Sequence, residues 1–148
     1  MNHIKRHVLI LISCTIFLLL LAGCSGPSSS AQSQKDAVLT ALNKARVSNG
    51  VSTLVENEQA DIVASRMANC GIDYARGNLT EDQFKTEYYD AALTTIRGNY
   101  CTALYSSTYV PTRASDFYGE KVAYKNGSIV GIAIRQSGRL TTISIIVY

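Results

Sequence analysis

Residues 121–148 read KVAYKNGSIVGIAIRQSGRLTTISIIVY, and this stretch decides the fold class. The dipeptides Asn126-Gly127 and Ser137-Gly138 are typical of turns between strands, and they separate three apolar segments. The middle segment, residues 129–134, is apolar on both faces, which indicates a central strand covered on both sides. The last segment, residues 140–148, alternates between apolar and polar side chains. The stretch therefore predicts an antiparallel β-meander of about three strands.

Helical patterns precede the predicted strands. Apolar residues recur at spacings of three and four in residues 35–48, and Asn49-Gly50 follows, where glycine is the usual left-handed cap. A second amphipathic helix is predicted from Asn57 to Cys70-Gly71. Thr80-Glu81-Asp82-Gln83 has the spacing of a capping box and predicts the start of a third helix. The order indicates an α+β fold in which N-terminal helices are followed by a C-terminal antiparallel meander.

The first 23 residues have the layout of a secretory signal. Lys5 and Arg6 precede an apolar run of about 14 residues, shorter than the roughly 20 residues that span a bilayer. Leu21-Ala22-Gly23-Cys24 then resembles the lipobox of bacterial lipoproteins in all four positions. The resemblance implies cleavage before Cys24 and acylation of that residue, and two or three acyl chains give stable anchoring. The alternative is an ordinary signal peptide with an incidental cysteine.

This interpretation divides the chain into three parts. Residues 1–23 form the signal peptide, and residues 24–34, which contain no bulky apolar side chain, are predicted to be a lipidated flexible tether. Residues 35–148 are long enough for a single α+β domain. The expected location is the cell envelope. By resemblance, Ser25 after the lipidated cysteine favours the outer membrane facing the periplasm in a Gram-negative host; otherwise the outer face of the plasma membrane is expected.

The charge balance argues against nucleic acid as a partner. The whole chain has 14 basic and 11 acidic residues, and removal of Lys5 and Arg6 with the leader leaves a net charge of +1. The basic residues are scattered singly and form no cluster, whereas nucleic-acid binders carry a basic patch. We therefore expect no nucleic acid as partner. The expected partners are the membrane, through the lipid anchor, and another envelope component or a protein.

Four cysteines are present, and two of them belong to the predicted domain. In an oxidising compartment an even pair is expected to form a disulfide, so Cys70 and Cys101 are predicted to be bonded. Residues 99–107 are expected to form a short helical turn that brings Cys101 against the end of the second helix. A loop of about 32 residues closed in this way would stabilise the fold by roughly 3–4 kcal/mol. The alternative is two free thiols, one of them a nucleophile.

Part of the domain resembles the CAP superfamily of cysteine-rich secretory, antigen 5 and pathogenesis-related proteins. Residues 42–46, LNKAR, with the following Asn49-Gly50-Val51, are similar to the opening helix and turn of that family. The Ala-rich helix of residues 58–70 is similar to its second helix, and residues 130–147 are similar to its final hairpin. The resemblance covers about half of the mature chain and implies an α-β-α sandwich.

The chain departs from that family in its metal-binding residues. CAP domains usually carry a cleft with paired histidines and glutamates, but His3 and His7 leave with the leader and residues 24–148 contain no histidine. Tyr118-Gly119-Glu120 faintly resembles the Gly-Glu-Asn segment of the family, so Glu120 and Tyr118 are candidate cleft residues. The resemblance thus implies a shortened domain, for which we expect neither a metal nor another cofactor.

No catalytic constellation is recognisable. Absence of histidine removes Ser-His-Asp and Cys-His catalysis as well as the commonest zinc sites. Carboxylates remain, and Glu87 and Asp90 would share one face of the third helix, in the manner of paired glycosidase carboxylates. Nine tyrosines and no tryptophan suggest either a tyrosine-lined ligand surface or packing at the rim of a small core.

Three functional hypotheses follow. The first is a non-catalytic, membrane-anchored envelope lipoprotein with a CAP-like binding domain. The second is a carboxylate-dependent cell-wall hydrolase. The third is a structural accessory subunit of a larger envelope assembly. We expect the first, and we therefore predict no catalytic residue.

Overall fold

The computed structural model describes residues 29–93, 96, 99–107 and 109–148. Within these residues, three helices and a sheet that is mostly C-terminal confirm the predicted α+β class with N-terminal helices and C-terminal strands. Residues 31–148 form one compact unit. The helices are α1 (Ser29–Ser48), α2 (Glu58–Ala75) and α3 (Glu81–Leu93). The strands are β1 (Val55–Glu56), β2 (Cys101–Ser107), β3 (Ile129–Ser137) and β4 (Leu140–Val147), and two short 3-10 helices cover Ala114–Phe117 and Lys121–Ala123.

Helix α1 begins at Ser29, six residues before the predicted start. Residues 29–34, assigned to the tether by their small polar composition, are helical, and Gln32 Nε2 donates to Asp36 Oδ1 at 2.8 Å. The helix ends as predicted at Asn49-Gly50, where Gly50 has a φ of 72°. The predicted leader, Cys24 and residues 25–28 lie outside the described residues. No helix in the described part of the chain is long and apolar enough to cross a bilayer.

Side-chain caps fix the starts of the other two helices. Asn57 accepts hydrogen bonds from the amides of Gln59 and Ala60, so α2 begins where predicted. It continues past the predicted end to Ala75. The predicted capping box before α3 is confirmed, because the Thr80 amide donates to Gln83 Oε1 and the Gln83 amide donates to Thr80 Oγ1.

The sheet has four strands in the order β1-β3-β4-β2 rather than a sequential meander of three. The β3–β4 hairpin forms as predicted, with Ser137 opposite Leu140 and Gly138 at a φ of 64°. Residues 101–107 form β2 along β4 and not the expected helical turn. Alternation explains the difference: Ala103 and Tyr105 pack on one face of the sheet and Leu104 packs on the other.

The prediction of a strand before Asn126-Gly127 was wrong. Residues 121–123 are a 3-10 helix, and the Lys125 amide donates to the Lys121 carbonyl at 2.9 Å, as in one helical turn. Gly127 does not serve as a hairpin residue. A Cβ at Gly127 would lie 2.9 Å from the carbonyl oxygen of Tyr148, so glycine is required there for close approach to the C-terminal residue.

Helices cover both faces of the sheet. On one face, α1 buries Val38 and Leu42 in a cluster that includes Ile143 and Ile145. On the other face, α2 and α3 form a second cluster that includes Ile146. A Cβ at Gly131 would lie only 2.1 Å from the Ala60 carbonyl oxygen, so α2 rests directly on β3. The result is a three-layer α-β-α arrangement around a mixed sheet.

Candidate cationic groove

Two adjoining cavities lie at the start of β2. One, of about 410 Å³, is lined by Tyr100, Cys101, Gly119, Lys121, Tyr124 and Lys125. The other, of about 220 Å³, is lined by Tyr89, Tyr100, Cys101, Thr102 and Lys121. Because they share three lining residues, we treat them as one concave surface and call it the Cys101 groove. Its size is within the range of small-ligand sites.

The groove brings together three separate parts of the chain. Tyr89 comes from α3, Cys101 is the first residue of β2, and Lys121 begins the second 3-10 helix. Lys121 and Lys125 are one turn apart, so their side chains leave the backbone on the same side. Both lysines line the larger cavity. Two ammonium groups therefore lie beside a thiol and tyrosine rings.

Arg46 holds the segment that carries these lysines. Its side chain is completely buried, and Nη1 donates to the carbonyl oxygens of Val122 at 2.7 Å and Lys125 at 2.9 Å. Nη2 donates to the Gly127 carbonyl at 3.2 Å, and Nε donates to Ser52 at 2.8 Å. In the described part of the chain no carboxylate pairs with this guanidinium. Burial lowers the pKa of Arg46, but an arginine remains charged in a protein.

The three charges that influence the pKa of the Cys101 thiol are positive. Burial raises the pKa of the Cys101 thiol, and the positive charges of Lys125, Arg46 and Lys121 oppose that shift. The net direction is upward, so the thiol is neutral at neutral pH. None of the lining residues that the structure describes is acidic. The arrangement favours an anion in the groove.

The structure does not contain the predicted disulfide between Cys70 and Cys101. Both are free thiols, and they belong to opposite sides of the sheet. Cys101 packs against the cluster that α1 covers, whereas Cys70 lies on α2 and lines a cavity with residues of α3. The expectation depended on a helical turn at residues 99–107. Side chains of a strand alternate between the two faces of the sheet. Cys101 lies on the face covered by α1, whereas α2, which carries Cys70, covers the opposite face.

The candidate cleft residues Glu120 and Tyr118 flank the groove without lining it. Tyr118 is 60% exposed, and Gly119, between the two, is the residue that lines the larger cavity. Glu120 lies near Tyr105, whose phenol pKa is raised by burial and, to a smaller extent, by the charges of Glu120 and Asp116. The Tyr105 hydroxyl is buried and has no hydrogen-bond partner among the described residues. Glu120 and Tyr118 are therefore neighbours in sequence of the lining residues Gly119 and Lys121 but do not line the cavities themselves.

Glu87 and Asp90, the candidate carboxylate pair, line the same cavity. They line a cavity of about 290 Å³ together with Arg66, Cys70 and Ala91. Burial, followed by the charges of Glu87 and Asp73, raises the pKa of the Cys70 thiol. The cavity lies on the α2–α3 side of the sheet, away from the lysines of the groove.

Arg46, Lys121 and Lys125 were not identified from the sequence, in which the basic residues are scattered singly and form no cluster. One signal for Arg46 was present in the sequence, because it lies four residues after Leu42 and next to Ala45, within the apolar stripe of α1. A charged residue at such a position is buried and must find partners. No sequence signal of this kind marks Lys121 or Lys125. They are four residues apart, but their position beside Cys101 depends on the tertiary fold.

A wider depression of about 690 Å³ runs along α1 and is lined by Thr40, Asn43, Lys44, Val47, Ser48, Thr53 and Ala114. The Asn43 side chain is already used there, since its amide group both donates to the Leu54 carbonyl and accepts from the Leu54 amide. The depression contains one lysine and lacks the converging charges of the groove. Lys44 therefore serves as a matched control for the groove lysines.

The chain was compared with protein-family models and with curated proteins. No family model matches the chain, and no curated protein matches it significantly. Among the described residues, no group of three or more His, Cys, Asp or Glu side chains is placed to hold a metal ion. The chemistry of the site must therefore be argued from the groove itself.

Proposed function

We propose that this chain is a lipid-anchored envelope lipoprotein whose domain binds an anionic ligand in the Cys101 groove without transforming it. The observation that carries the proposal is that Lys121 and Lys125 line one concave surface with no acidic residue among its described lining residues, while the buried Arg46 adds positive charge near Cys101. Uncompensated positive charge in a concavity attracts an anion. The anchor remains inferred from Leu21-Ala22-Gly23-Cys24.

Descent from the CAP superfamily is part of this proposal. Support comes from the α-β-α layering, from the turn at Asn49-Gly50 after α1, and from the closing hairpin of β3 and β4. The proposed domain would use the loop around Glu120 for binding, with lysines in place of histidines.

Calorimetric titration tests the binding function. The full chain, extracted in a neutral detergent, is titrated with dextran sulfate and with uncharged dextran of the same length. We expect only the sulfated polymer to bind, and the K121Q/K125Q double variant to bind at least about tenfold more weakly. K44Q should bind like the parent. Equal loss in K44Q, or no loss in the double variant, would contradict the assignment to the groove.

Carboxylate-dependent hydrolysis is the second candidate, because Glu87 and Asp90 line one cavity. Release of soluble fragments from purified cell wall by the parent, lost in E87Q and D90N but retained in K121Q/K125Q, would favour it. A structural accessory role is the third candidate. One stoichiometric crosslinked partner that persists in K121Q/K125Q would favour that role over ligand binding.

A further inference from the structure

We infer that the anionic ligand of the Cys101 groove is a sugar or polyol that carries a phosphate group, with the phosphate between Lys121 and Lys125. This inference rests on the proposed binding function and names its ligand class. Both lysines line the larger cavity, and only Lys121 also lines the smaller one. The charged end of the ligand therefore belongs in the larger cavity.

The cationic residues in the lining favour a phosphate over a carboxylate. The cations that line the groove are lysines, which act as point charges with three donors each. A planar carboxylate is matched best by the fork of an arginine, and no arginine lines either cavity. The one arginine nearby, Arg46, has committed Nε, Nη1 and Nη2 to backbone carbonyls. A phosphate offers enough oxygens to accept from both ammonium groups.

Aromatic and hydroxyl groups occupy the rest of the groove. Tyr100 lies in both cavities, Tyr124 in the larger one, and Tyr89 and Thr102 in the smaller one. Tyr89 and Tyr124 are about half exposed, at 49% and 50%. Tyrosine presents an apolar ring and a hydroxyl together, which suits a ligand with both C–H faces and hydroxyl groups. A sugar ring or polyol extending from the phosphate has this character.

The Cys101 thiol in the lining is compatible with such a ligand. Cys101 is half-buried and uncharged at neutral pH, so it does not neutralise the lysines or repel a phosphate. Cys101 lines both cavities, as do Tyr100 and Lys121. A small, weakly polar side chain at that position leaves room for the link between phosphate and sugar.

Four small probes separate the contributions of charge and ring. The full chain in neutral detergent is titrated with glucose 1-phosphate, glucose, glucuronate and inorganic phosphate. We expect glucose 1-phosphate to bind most tightly, glucuronate to bind more weakly because it replaces phosphate by a carboxylate, and glucose not to bind. Inorganic phosphate should bind more weakly than glucose 1-phosphate because it lacks the ring.

Two variants, each with a matched control variant, localise the binding. K121Q/K125Q should weaken glucose 1-phosphate roughly ten- to a hundredfold, and K44Q should not. Y89A should weaken glucose 1-phosphate but not inorganic phosphate, whereas Y118A should change neither. Circular dichroism melts establish that each variant is folded. Equal affinity for glucose 1-phosphate and inorganic phosphate, or tighter binding of glucuronate, would overturn the inference. If dextran sulfate still binds in a Lys121- and Lys125-dependent way, the proposed function stands without it.

A phosphorylated polyol can be water-soluble or can be the headgroup of a lipid, and competition distinguishes these sources. Micelles doped with phosphatidylinositol should displace bound glucose 1-phosphate if the natural source is a lipid. Retention of glucose 1-phosphate in doped micelles would assign a water-soluble source. Both results keep the ligand chemistry, and failure of glucose 1-phosphate to bind at all overturns it.

Discussion

Nη1 of Arg46 donates to the carbonyl oxygen of Val122 at 2.7 Å, and these residues are 76 positions apart in the chain. The same guanidinium binds the carbonyls of Lys125 and Gly127. It thereby ties the end of α1 to the segment between the second 3-10 helix and β3. This contact joins the N-terminal helix to the segment that carries the groove lysines.

Replacement of Arg46 by methionine should destabilise the domain strongly. Methionine fills much of the same space but leaves the buried Val122 carbonyl and its neighbours without donors. We expect a loss of roughly 3–5 kcal/mol in the free energy of unfolding. Urea denaturation followed by circular dichroism measures it. Arg139, which is exposed, provides the control: R139M should change stability by less than about 0.5 kcal/mol. Similar values for both variants would show that the buried contacts contribute little.

The fold class could be predicted because its determinants are local. Periodicity predicted the buried face of α2, the Thr80–Gln83 box predicted the start of α3, and Ser137-Gly138 predicted the β3–β4 turn. The helical start at Ser29 was missed because small polar residues are typical of linkers as well as of helix ends.

The sheet order and the groove depend on contacts that are distant in sequence. Asn126-Gly127 satisfies the local rule for a hairpin, yet Arg46 and the C-terminal Tyr148 hold it in another arrangement. Cys101 was placed on the wrong side because its position follows from the pairing of β2 with β4. Tertiary packing overrides the local preference in both cases.

Gly131→Ala should be one of the most damaging single-methyl additions in the domain. Its Cβ would lie 2.1 Å from the Ala60 carbonyl oxygen, so α2 would have to move away from β3. We expect a loss of about 1–3 kcal/mol or more, measured by thermal unfolding. Gly138→Ala is the comparison, because that site is open and only the φ of 64° opposes a side chain. Its expected cost is about 1 kcal/mol. A smaller cost at Gly131 than at Gly138 would contradict the close packing of α2 on the sheet.

Both domain cysteines should react as free thiols. Iodoacetamide added to the denatured, unreduced protein should alkylate Cys70 and Cys101, and mass spectrometry of the peptides would detect both adducts. A peptide pair linked through Cys70 and Cys101 would instead restore the sequence-based prediction. Reducing agent should also leave the melting temperature unchanged, because no disulfide constrains the unfolded chain.

The alkylation rate of Cys101 should report the groove charges. Only the thiolate reacts, so a raised pKa moves the midpoint of the rate-versus-pH curve above that of an ordinary thiol. In K121Q/K125Q the two opposing positive charges are lost, and the midpoint should move further upward. Cys70, whose pKa is raised by burial, Glu87 and Asp73, should keep its midpoint in the same variant. Equal shifts of the midpoint at both cysteines, or no shift at Cys101, would contradict the position of Lys121 and Lys125 beside Cys101.

Cys24→Ser tests the anchor on which the proposed location depends. If Leu21-Ala22-Gly23-Cys24 acts as a lipobox, the parent should incorporate labelled palmitate and sediment with membranes. The C24S variant should incorporate none, because the thiol sulfur is the atom that receives the diacylglyceryl group, and cleavage and acylation of the new amine follow that step. Cys14→Ser is the matched control: it removes a cysteine from the leader, ahead of the cleavage point, so labelling and sedimentation should continue. Palmitate incorporation by C24S would mean that another residue is acylated. Membrane association of C24S without label would mean that the apolar segment of residues 8–21 anchors the chain uncleaved.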